Sequence, residues 1–308
     1  ANHSYGSLTI ASGAEWRAST GTTTIKGNAS SSSNLAWANS GTFTHNSGTV
    51  LFDGTNTFGG SSFGHINPAT NTFNNLTINA DSKVLQLRGN STTLTVAGDL
   101  TMTDGTLMNY GTDTVTTTVT GDVSIANGAT IGANTGGNDM TAPLNFGSLT
   151  IESGGTFIAT SDTTTITKNT GATGGVAFYT HTSGTFTHNS GLMKFTSADA
   201  DTNVVGQSVT KNPFYDLEAT STYEPKEANE TTVLNNATFA NNVTFQDSAR
   251  YIKVLGICRF LSGEYNRNNN STNANHFFGT LIIEGGTFEL APMEITVGSF
   301  RNLGGTIS

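Results

Sequence analysis

The sequence predicts an all-β protein, a right-handed parallel β-solenoid of about eleven coils, on the basis of three observations. The composition opposes helix, short Gly-rich strand phrases recur along the whole chain, and their spacing suits single solenoid coils. Tandem β-sandwich or hairpin repeats are the alternative fold, because Asp104-Gly105 and Asn127-Gly128 are also strong hairpin turns.

The composition excludes several classes of protein. Charged residues make up only 11% of the 308 residues, against roughly 25% in average globular proteins, and Gly, Thr, Ser and Asn replace them. Thr favours strands, Asn and Ser compete with helical hydrogen bonds, and Gly costs entropy in a helix. The net charge of -9, with Lys and Arg scattered singly, argues against nucleic-acid binding. No apolar run is long enough for membrane insertion.

The clearest strand phrase occupies residues 147–157. Leu149 and Ile151 alternate with polar residues at a period of two, and Ser153-Gly154 forms a turn pair in which glycine adopts positive φ without steric cost. The phrase therefore reads as strand, tight bend and strand, and close variants of it begin at Gly6, Gly98, Gly121 and Gly279.

A long repeat contains these phrases. Gly6-Ser-Leu-Thr-Ile10 returns as Gly147-Ser-Leu-Thr-Ile151, and the segment 40–48 returns letter for letter at 183–191. We therefore expect one continuous solenoid over 1–308, with sequence repeats at 1–145, 146–277 and 278–308, the last of them incomplete.

A shorter period follows from aligning the first apolar residue of each strand. The shorter steps between these markers, such as the step from Leu76 to Leu100, suit a coil of three short strands and three bends. Longer steps indicate excursions from the coil, which follow Leu8, Phe43, Leu149 and Phe186. The markers, all expected to point inward, are Leu8, Phe43, Leu76, Leu100, Val123, Leu149, Phe186, Leu217, Val243, Cys258 and Leu281.

The solenoid and the hairpin alternative predict different neighbours for Leu100. In a parallel solenoid, Leu100 lies beside both Leu76 and Val123, one coil away on either side. In a hairpin, Leu100 pairs antiparallel with Leu107.

Few residues indicate chemistry. Asp199, Asp201 and Asn203 match the opening of a calcium loop, but Val204 replaces its glycine and Thr210 its closing glutamate, so they are a weak metal candidate. We expect no cofactor and no catalytic residues.

Several other side chains have a structural and a functional interpretation. His45 and His188 occupy equivalent repeat positions, where the alternation predicts core histidines. The candidates for the paired carboxylates of a glycosidase are Glu15, Glu152 and Glu284. Their spacing instead indicates carboxylates at solvated coil edges. Aromatic residues that either stack on carbohydrate or fill the core are Trp16, Trp37, Tyr110 and Tyr179.

The repeated phrases Gly-Ser-Leu-Thr-Ile-x-Ser-Gly and Thr-Phe-Thr-His-Asn-Ser-Gly, with Phe73-Asn-Asn-Leu-Thr-Ile78, resemble the repetitive β-rich regions of structural proteins from tailed phages, particularly marine ones. Filamentous-haemagglutinin-like bacterial adhesins use similar coils. The phage resemblance implies an elongated appendage, such as a tail fibre, spike or capsid fibre, which lies on the virion surface or outside the cell and adheres to a host surface. It carries over no catalytic residues. A polysaccharide-depolymerising spike and a bacterial adhesin or surface-layer component are the alternatives.

The ends of a solenoid predict its partners. Open strand edges need cover, and few Lys or Pro residues are available to blunt them. We expect self-association or continuation of the same polypeptide end to end, rather than a side-by-side trimer. A host surface glycan is the other expected partner.

Overall fold

A computed structural model describes residues 1–27, 35–54, 62–68, 72–133, 140–168, 176–196, 202–205, 213–225, 230–245, 251–267, 275–289 and 294–308. These residues form 32 strands and no helix. The strands are β1 (His3–Tyr5), β2 (Leu8–Ile10), β3 (Glu15–Arg17), β4 (Thr22–Ile25), β5 (Leu35–Asn39), β6 (Thr42–Thr44), β7 (Thr49–Asp53), β8 (Ser62–Asn67), β9 (Thr72–Phe73), β10 (Asn75–Leu87), β11 (Thr92–Val96), β12 (Leu100–Asn109), β13 (Val115–Ile125), β14 (Ala129–Ile131), β15 (Leu144–Ile151), β16 (Thr156–Ile158), β17 (Thr163–Ile166), β18 (Phe178–Thr180), β19 (Thr185–Thr187), β20 (Leu192–Phe195), β21 (Thr202–Val205), β22 (Asp216–Ala219), β23 (Tyr223–Pro225), β24 (Glu230–Val233), β25 (Ala237–Phe239), β26 (Val243–Phe245), β27 (Tyr251–Phe260), β28 (Glu264–Arg267), β29 (Asn275–Ile283), β30 (Thr287–Phe288), β31 (Glu294–Asn302) and β32 (Thr306–Ile307).

Every pairing between these strands is parallel, and each strand pairs with the strand one turn before or after it. The chain winds repeatedly through three stacks, which we call faces 1, 2 and 3 in the order of the path. Face 1 begins with β1, β4 and β7, face 2 with β2, β5 and β8, and face 3 with β3, β6 and β9. This arrangement confirms the predicted all-β parallel solenoid.

Leu100 distinguishes the solenoid from the hairpin alternative. It pairs in parallel with Leu76 on one side and with Val123 on the other, each of them one turn away. Leu107 instead lies on face 2, in parallel register with Leu85 and Ile131. Hairpins are therefore absent at this point, and Gly105, with φ of 84°, bends β12 from face 1 to face 2.

The inward side chains of the three faces form one continuous hydrophobic core. Leu, Ile and Val fill the central turns, where Leu76, Leu100 and Leu149 are fully buried. Aromatic rings fill the turns on either side, as in the stacked pair of Trp16 and Phe43, whose centroids are 5.5 Å apart. Burial of each such side chain stabilises the fold by about 1.5–3 kcal/mol. Between the inward positions, face 1 carries small hydroxyl residues in register, namely Thr77, Thr101, Ser124 and Thr150, of which Thr150 is buried.

Glycine in the recurring phrase is required by close packing at a corner. The amide of Gly121 donates to the carbonyl oxygen of Gly98 over 2.9 Å at the corner between faces 3 and 1. A Cβ added to Gly147 would overlap the carbonyl oxygen of Gly121 in the preceding turn. The glycines therefore form a column that brings successive turns into contact.

A ladder of Asn and Asp side chains runs beside this column. Asn75 Oδ1 accepts the amide of Asp99 over 3.0 Å, and Asp99 Oδ1 accepts the amide of Asp122 over 2.9 Å. Asp122 Oδ1 in turn accepts the hydroxyl of Ser148 over 2.8 Å. The polar residue that directly precedes the first apolar residue of each of these strands therefore caps the corner of the next turn, which accounts for the polar-apolar order of the phrase.

The predicted coil markers do not all lie on one face. Leu8 is on face 2 and pairs with Trp37, whereas Phe43 is on face 3 and pairs with Trp16. Leu76, Leu100, Val123, Leu149 and Val243 are on face 1, Phe186 is on face 2, and Leu217, Cys258 and Leu281 are on face 3. The count of eleven coils is therefore not confirmed, because steps between markers on different faces are not turn lengths.

The long repeat is out of phase with the turn. Its opening phrase occupies face 2 at residues 6–10, face 1 at 147–151 and face 3 at 279–283. Each copy therefore begins one face earlier than the copy before it. The segments in which the four excursions are expected, 28–34, 55–61, 169–175, 197–201 and 206–212, lie outside the described residues, so the excursions stay a prediction.

Candidate binding site

The metal candidate lies largely outside the described residues. Asp199 and Asp201 are not described, and of Asn203 only the backbone, in β21, is described. Within the described parts of the chain, no group of three or more His, Cys, Asp or Glu side chains is placed to hold a metal ion. Calcium binding at Asp199, Asp201 and Asn203 stays a prediction.

The two repeated histidines lie at corners and not in the core, so their predicted inward position is wrong. The preceding strands end at Thr44 and Thr187, one residue before each histidine. His188 Nδ1 accepts the amide of Ser190 over 2.8 Å and fixes a tight turn in which Ser190 has φ of 57°. His45 makes the equivalent bond to the amide of Ser47 over 3.0 Å.

His188 differs from His45 in the side chain that it contacts. The half-buried ring of His188 stacks on Tyr215 with centroids 5.4 Å apart. Burial lowers the pKa of His188 below its ordinary value. His181, which the sequence reasoning missed, accepts the amide of Ser183 in a third turn of the same kind.

The three candidate carboxylates are not brought together. Glu15 forms an exposed ion pair with Arg17 over 2.7 Å, and Glu284 pairs with Arg259. Glu152 follows face 1 and Glu284 follows face 3, and several turns separate them. This arrangement differs from a glycosidase pair, in which two carboxyl groups lie roughly 5 to 9.5 Å apart.

Most of the remaining candidates are core residues. Trp37 is fully buried, and Trp16 is partly buried against it. Cys258 is buried between Ala237 and Leu281, and burial raises the pKa of its thiol, which opposes the reactive thiolate form. Tyr110 and Tyr179 are the two aromatic candidates on the outside, and both are half-buried.

Tyr110 belongs to a column of polar residues at the corner between faces 2 and 3. Asn67 ends β8, and Arg88 and Tyr110 directly follow β10 and β12 in the next two turns. The Arg88 amide donates to Ile66 O and the Tyr110 amide to Leu87 O, each over 2.8 Å. The guanidinium carbon of Arg88 lies 4.1 Å from the centre of the Tyr110 ring. This cation–π contact fixes the position of the guanidinium.

A cavity of about 300 Å³ opens beside this column, and we call it the corner cavity. The Arg88 guanidinium makes no hydrogen bond or ion pair with any residue in the described ranges, so its N–H groups are available. Asp113 Oδ2 accepts the amide of Gly89 over 2.8 Å, which fixes the carboxylate at the rim. The lining residues are Leu35, Asn67, Arg88, Gly89, Asn90 and Asp113.

A second groove, of about 440 Å³, continues from the corner cavity onto face 3. The two are adjacent because Ser91 and Thr114 of the groove directly follow Asn90 and Asp113 of the cavity. Six of its nine lining residues are Ser or Thr, and Thr93 and Thr116 are paired across neighbouring strands. The combined surface therefore offers several hydrogen-bond donors and acceptors beside the apolar parts of the threonine side chains.

The last described turn has an apolar end. Phe300, Leu303 and Ile307 are 48%, 57% and 38% exposed. A cavity of about 190 Å³ opens there, lined by Leu281, Ile283, Phe288, Ile295, Val297, Phe300 and Ile307. These side chains continue the inward stacks of the core in the last described turn.

Comparison with known proteins gives no assignment. No protein-family model matches the chain, and neither a curated protein nor a solved structure matches it. Among the described residues, no helix has the length and apolarity to cross a membrane.

Proposed function

We propose that the chain is the shaft of an elongated, non-enzymatic appendage, a tail fibre, spike or capsid fibre that adheres to a host surface. The continuous parallel stack from β1 to β32 carries this proposal. Each turn, such as the one between Leu76 and Leu100, adds about 4.8 Å of length, the spacing of neighbouring strands. We propose a right-handed coil, because parallel crossover connections are right-handed in about 98% of cases.

A polysaccharide-depolymerising spike and a bacterial adhesin or surface-layer component are the alternatives. The separation of Glu152 and Glu284 on different faces supports the non-enzymatic function over the spike. A virion surface location is part of the same proposal, and it rests on the resemblance of the repeated phrases.

Imaging and a hydrolysis assay test this function together. Negative-stain images of the purified chain are expected to show a rod, and incubation with surface polysaccharides is expected to release no reducing ends. Released oligosaccharide would establish the depolymerising spike instead. A globular particle would contradict the shaft.

We further propose that the apolar end is covered end to end, either by a second copy of the chain or by continuation of the same polypeptide. Within the described strands, β32 pairs only with β30, and β1 pairs only with β4, so each has one open edge. Parallel edges of this kind extend a sheet without rearrangement. Stacking of one copy's first turn on another's last turn is heterologous and generates a filament.

Two exposed apolar residues provide a matched test of this assembly. Phe300→Asp places a charge in the end cavity, whereas Leu255→Asp changes a residue of similar exposure that does not line it. Light scattering with negative-stain imaging is expected to show end-to-end oligomers for the wild type and for Leu255→Asp, and monomers for Phe300→Asp. A monomeric wild type would contradict self-association and leave only continuation of the same polypeptide, and three chains side by side in one shaft would contradict both.

A further inference from the structure

We infer that the corner cavity and the adjoining groove bind a neutral polysaccharide chain, with one sugar ring held by Arg88 and Asp113. The inference rests on the proposed adhesive function and identifies the part of the shaft that makes the contact. Of the residues at this site, only Tyr110 is a candidate from the sequence.

The corner cavity supplies the groups that recognise a sugar diol. A guanidinium donates only, a carboxylate accepts only, and an amide does both, which matches neighbouring hydroxyl groups that each donate and accept. Arg88, Asp113 and Asn90 provide these three types around one opening. The cavity volume of about 300 Å³ is at the lower end of the range of roughly 300–1,000 Å³ found for ligand pockets.

Both charged groups are held in place before a ligand arrives. Arg88 is stacked on Tyr110, and the Tyr110 ring is perpendicular to the buried ring of His65, with the two ring centroids 4.9 Å apart. Asp113 is tied to the Gly89 amide, and its own amide donates to Tyr110 O over 2.9 Å. Such preorganisation lowers the entropy lost on binding.

The charge balance favours a neutral ligand. Arg88 and Asp113 contribute opposite charges to the cavity, so it has no net positive charge with which to attract an anion. The whole chain has a net charge of -9, which repels polyanions at low ionic strength. An acidic polysaccharide therefore binds less well than a neutral one.

The groove accounts for a chain rather than a single sugar. Thr93 and Thr116 present hydroxyl groups along the direction that leaves the corner cavity. The Thr92 hydroxyl already donates to Gly89 O over 3.1 Å and can still accept, and the Thr114 hydroxyl accepts the Ser91 amide over 3.2 Å and can still donate. These hydroxyls bond with successive sugar units through direct or water-mediated hydrogen bonds. Affinity is therefore expected to rise from monosaccharide to oligosaccharide.

Calorimetry with the full chain tests the inference, with a neutral glucan, a mannan and an acidic polyuronate as probes. Arg88→Gln and Asp113→Asn remove one charge each and retain hydrogen-bonding capacity. Each is expected to weaken binding of a neutral oligosaccharide by about tenfold or more, since hydrogen bonds to charged groups are the strong ones. Arg17→Gln, at an exposed arginine paired with Glu15, is the matched control and is expected to leave binding unchanged.

The outcomes separate the site from the shaft function. Binding of a neutral glycan that is equally strong in Arg88→Gln and Asp113→Asn overturns this site and leaves adhesion elsewhere on the shaft. Binding of the polyuronate alone overturns the neutral ligand class. Binding of none of the probes overturns the inference, whereas a rod in the images still supports the shaft. Thermal unfolding of each variant identifies any loss of binding that comes from misfolding.

Discussion

Substitution of Gly147 by alanine tests the packing that joins one turn to the next. A Cβ at this position would overlap the carbonyl oxygens of Gly121 and Thr120, and would lie 3.0 Å from Gly121 C. All three atoms belong to the backbone, so they cannot rotate away as a side chain does. The strand β15 must therefore move away from β13, or the corner must open.

The expected cost of Gly147→Ala is about 1–3 kcal/mol, the range for overpacking in a well-packed interior. Gly147 does not have the positive φ that strains other residues, so the effect measures close approach and not backbone preference. Gly6 is a matched control, because it opens the same phrase but has no atom within 4 Å of an added Cβ. Gly6→Ala is expected to change stability by at most about 0.5 kcal/mol.

Urea unfolding followed by circular dichroism measures both variants. Gly147→Ala is expected to lower the midpoint with an unchanged slope, and Gly6→Ala to reproduce the wild-type curve. Equal midpoints for the two variants would refute the argument that the glycine column is required by contact between turns.

Three further predictions concern side chains. Leu149→Ala is expected to lower stability by about 2–5 kcal/mol in the same urea assay, because it removes a fully buried core side chain. Tyr265→Phe removes the hydroxyl that lies 2.9 Å from His276 Nδ1, and a loss of about 1 kcal/mol is expected by thermal unfolding. His188 has a lowered folded-state pKa, so the unfolded state takes up its proton first, and stability is lost as the pH falls from the unfolded pKa of about 6.5 through the lower folded value. In the urea assay, the free energy of unfolding of His188→Gln is expected to fall less than that of the wild type between pH 8 and pH 5.5. Equal losses in the two proteins would contradict a contribution of His188 to the pH dependence.

Local sequence was sufficient to predict parallel stacking. The phrase around Leu100 alternates inward and outward residues, and its spacing from Leu76 and Val123 equals one turn. Gly98 and Asp99 fix the corner through hydrogen bonds to neighbouring turns: Gly98 O accepts the Gly121 amide, the Asp99 amide donates to Asn75 Oδ1, and Asp99 Oδ1 accepts the Asp122 amide. The alternation and the corner hydrogen bonds both involve residues at most one turn apart, so a single sequence is enough to show them.

The number of turns could not be predicted in the same way. The phrase specifies a corner followed by a strand, and the three corners of the coil are alike enough to accept it. Gly147 stacks on Gly121 O between faces 3 and 1, whereas Gly279 stacks on Leu255 O between faces 2 and 3. A marker residue defined by this phrase therefore indicates that a corner is present, but it does not identify which of the three corners it is.

The corner histidines show a related limit. Alternation predicts an inward residue only while the strand continues, and the strands end before His45 and His188. The following residues, Asn46 and Ser47, both adopt positive φ, which a turn permits and a strand does not. The end of the strand decides the position of the histidine, and period-two counting cannot locate that end.

The corner cavity is not visible in the sequence pattern because its residues are not part of the repeat. The sequence indicates Tyr110 only as an aromatic, and its partner Arg88 lies one turn earlier at the same corner. The repeated phrases form the same backbone contacts and the same core packing at every turn. A ligand would therefore find the same surface at each repeated position along the shaft. A specific contact requires a departure from the repeat, and an arginine stacked on a tyrosine beside Asp113 is such a departure. In this chain we therefore expect ligand binding at positions where neighbouring turns carry different residues. At positions where the turns carry the same residues, the side chains already contact the turns above and below.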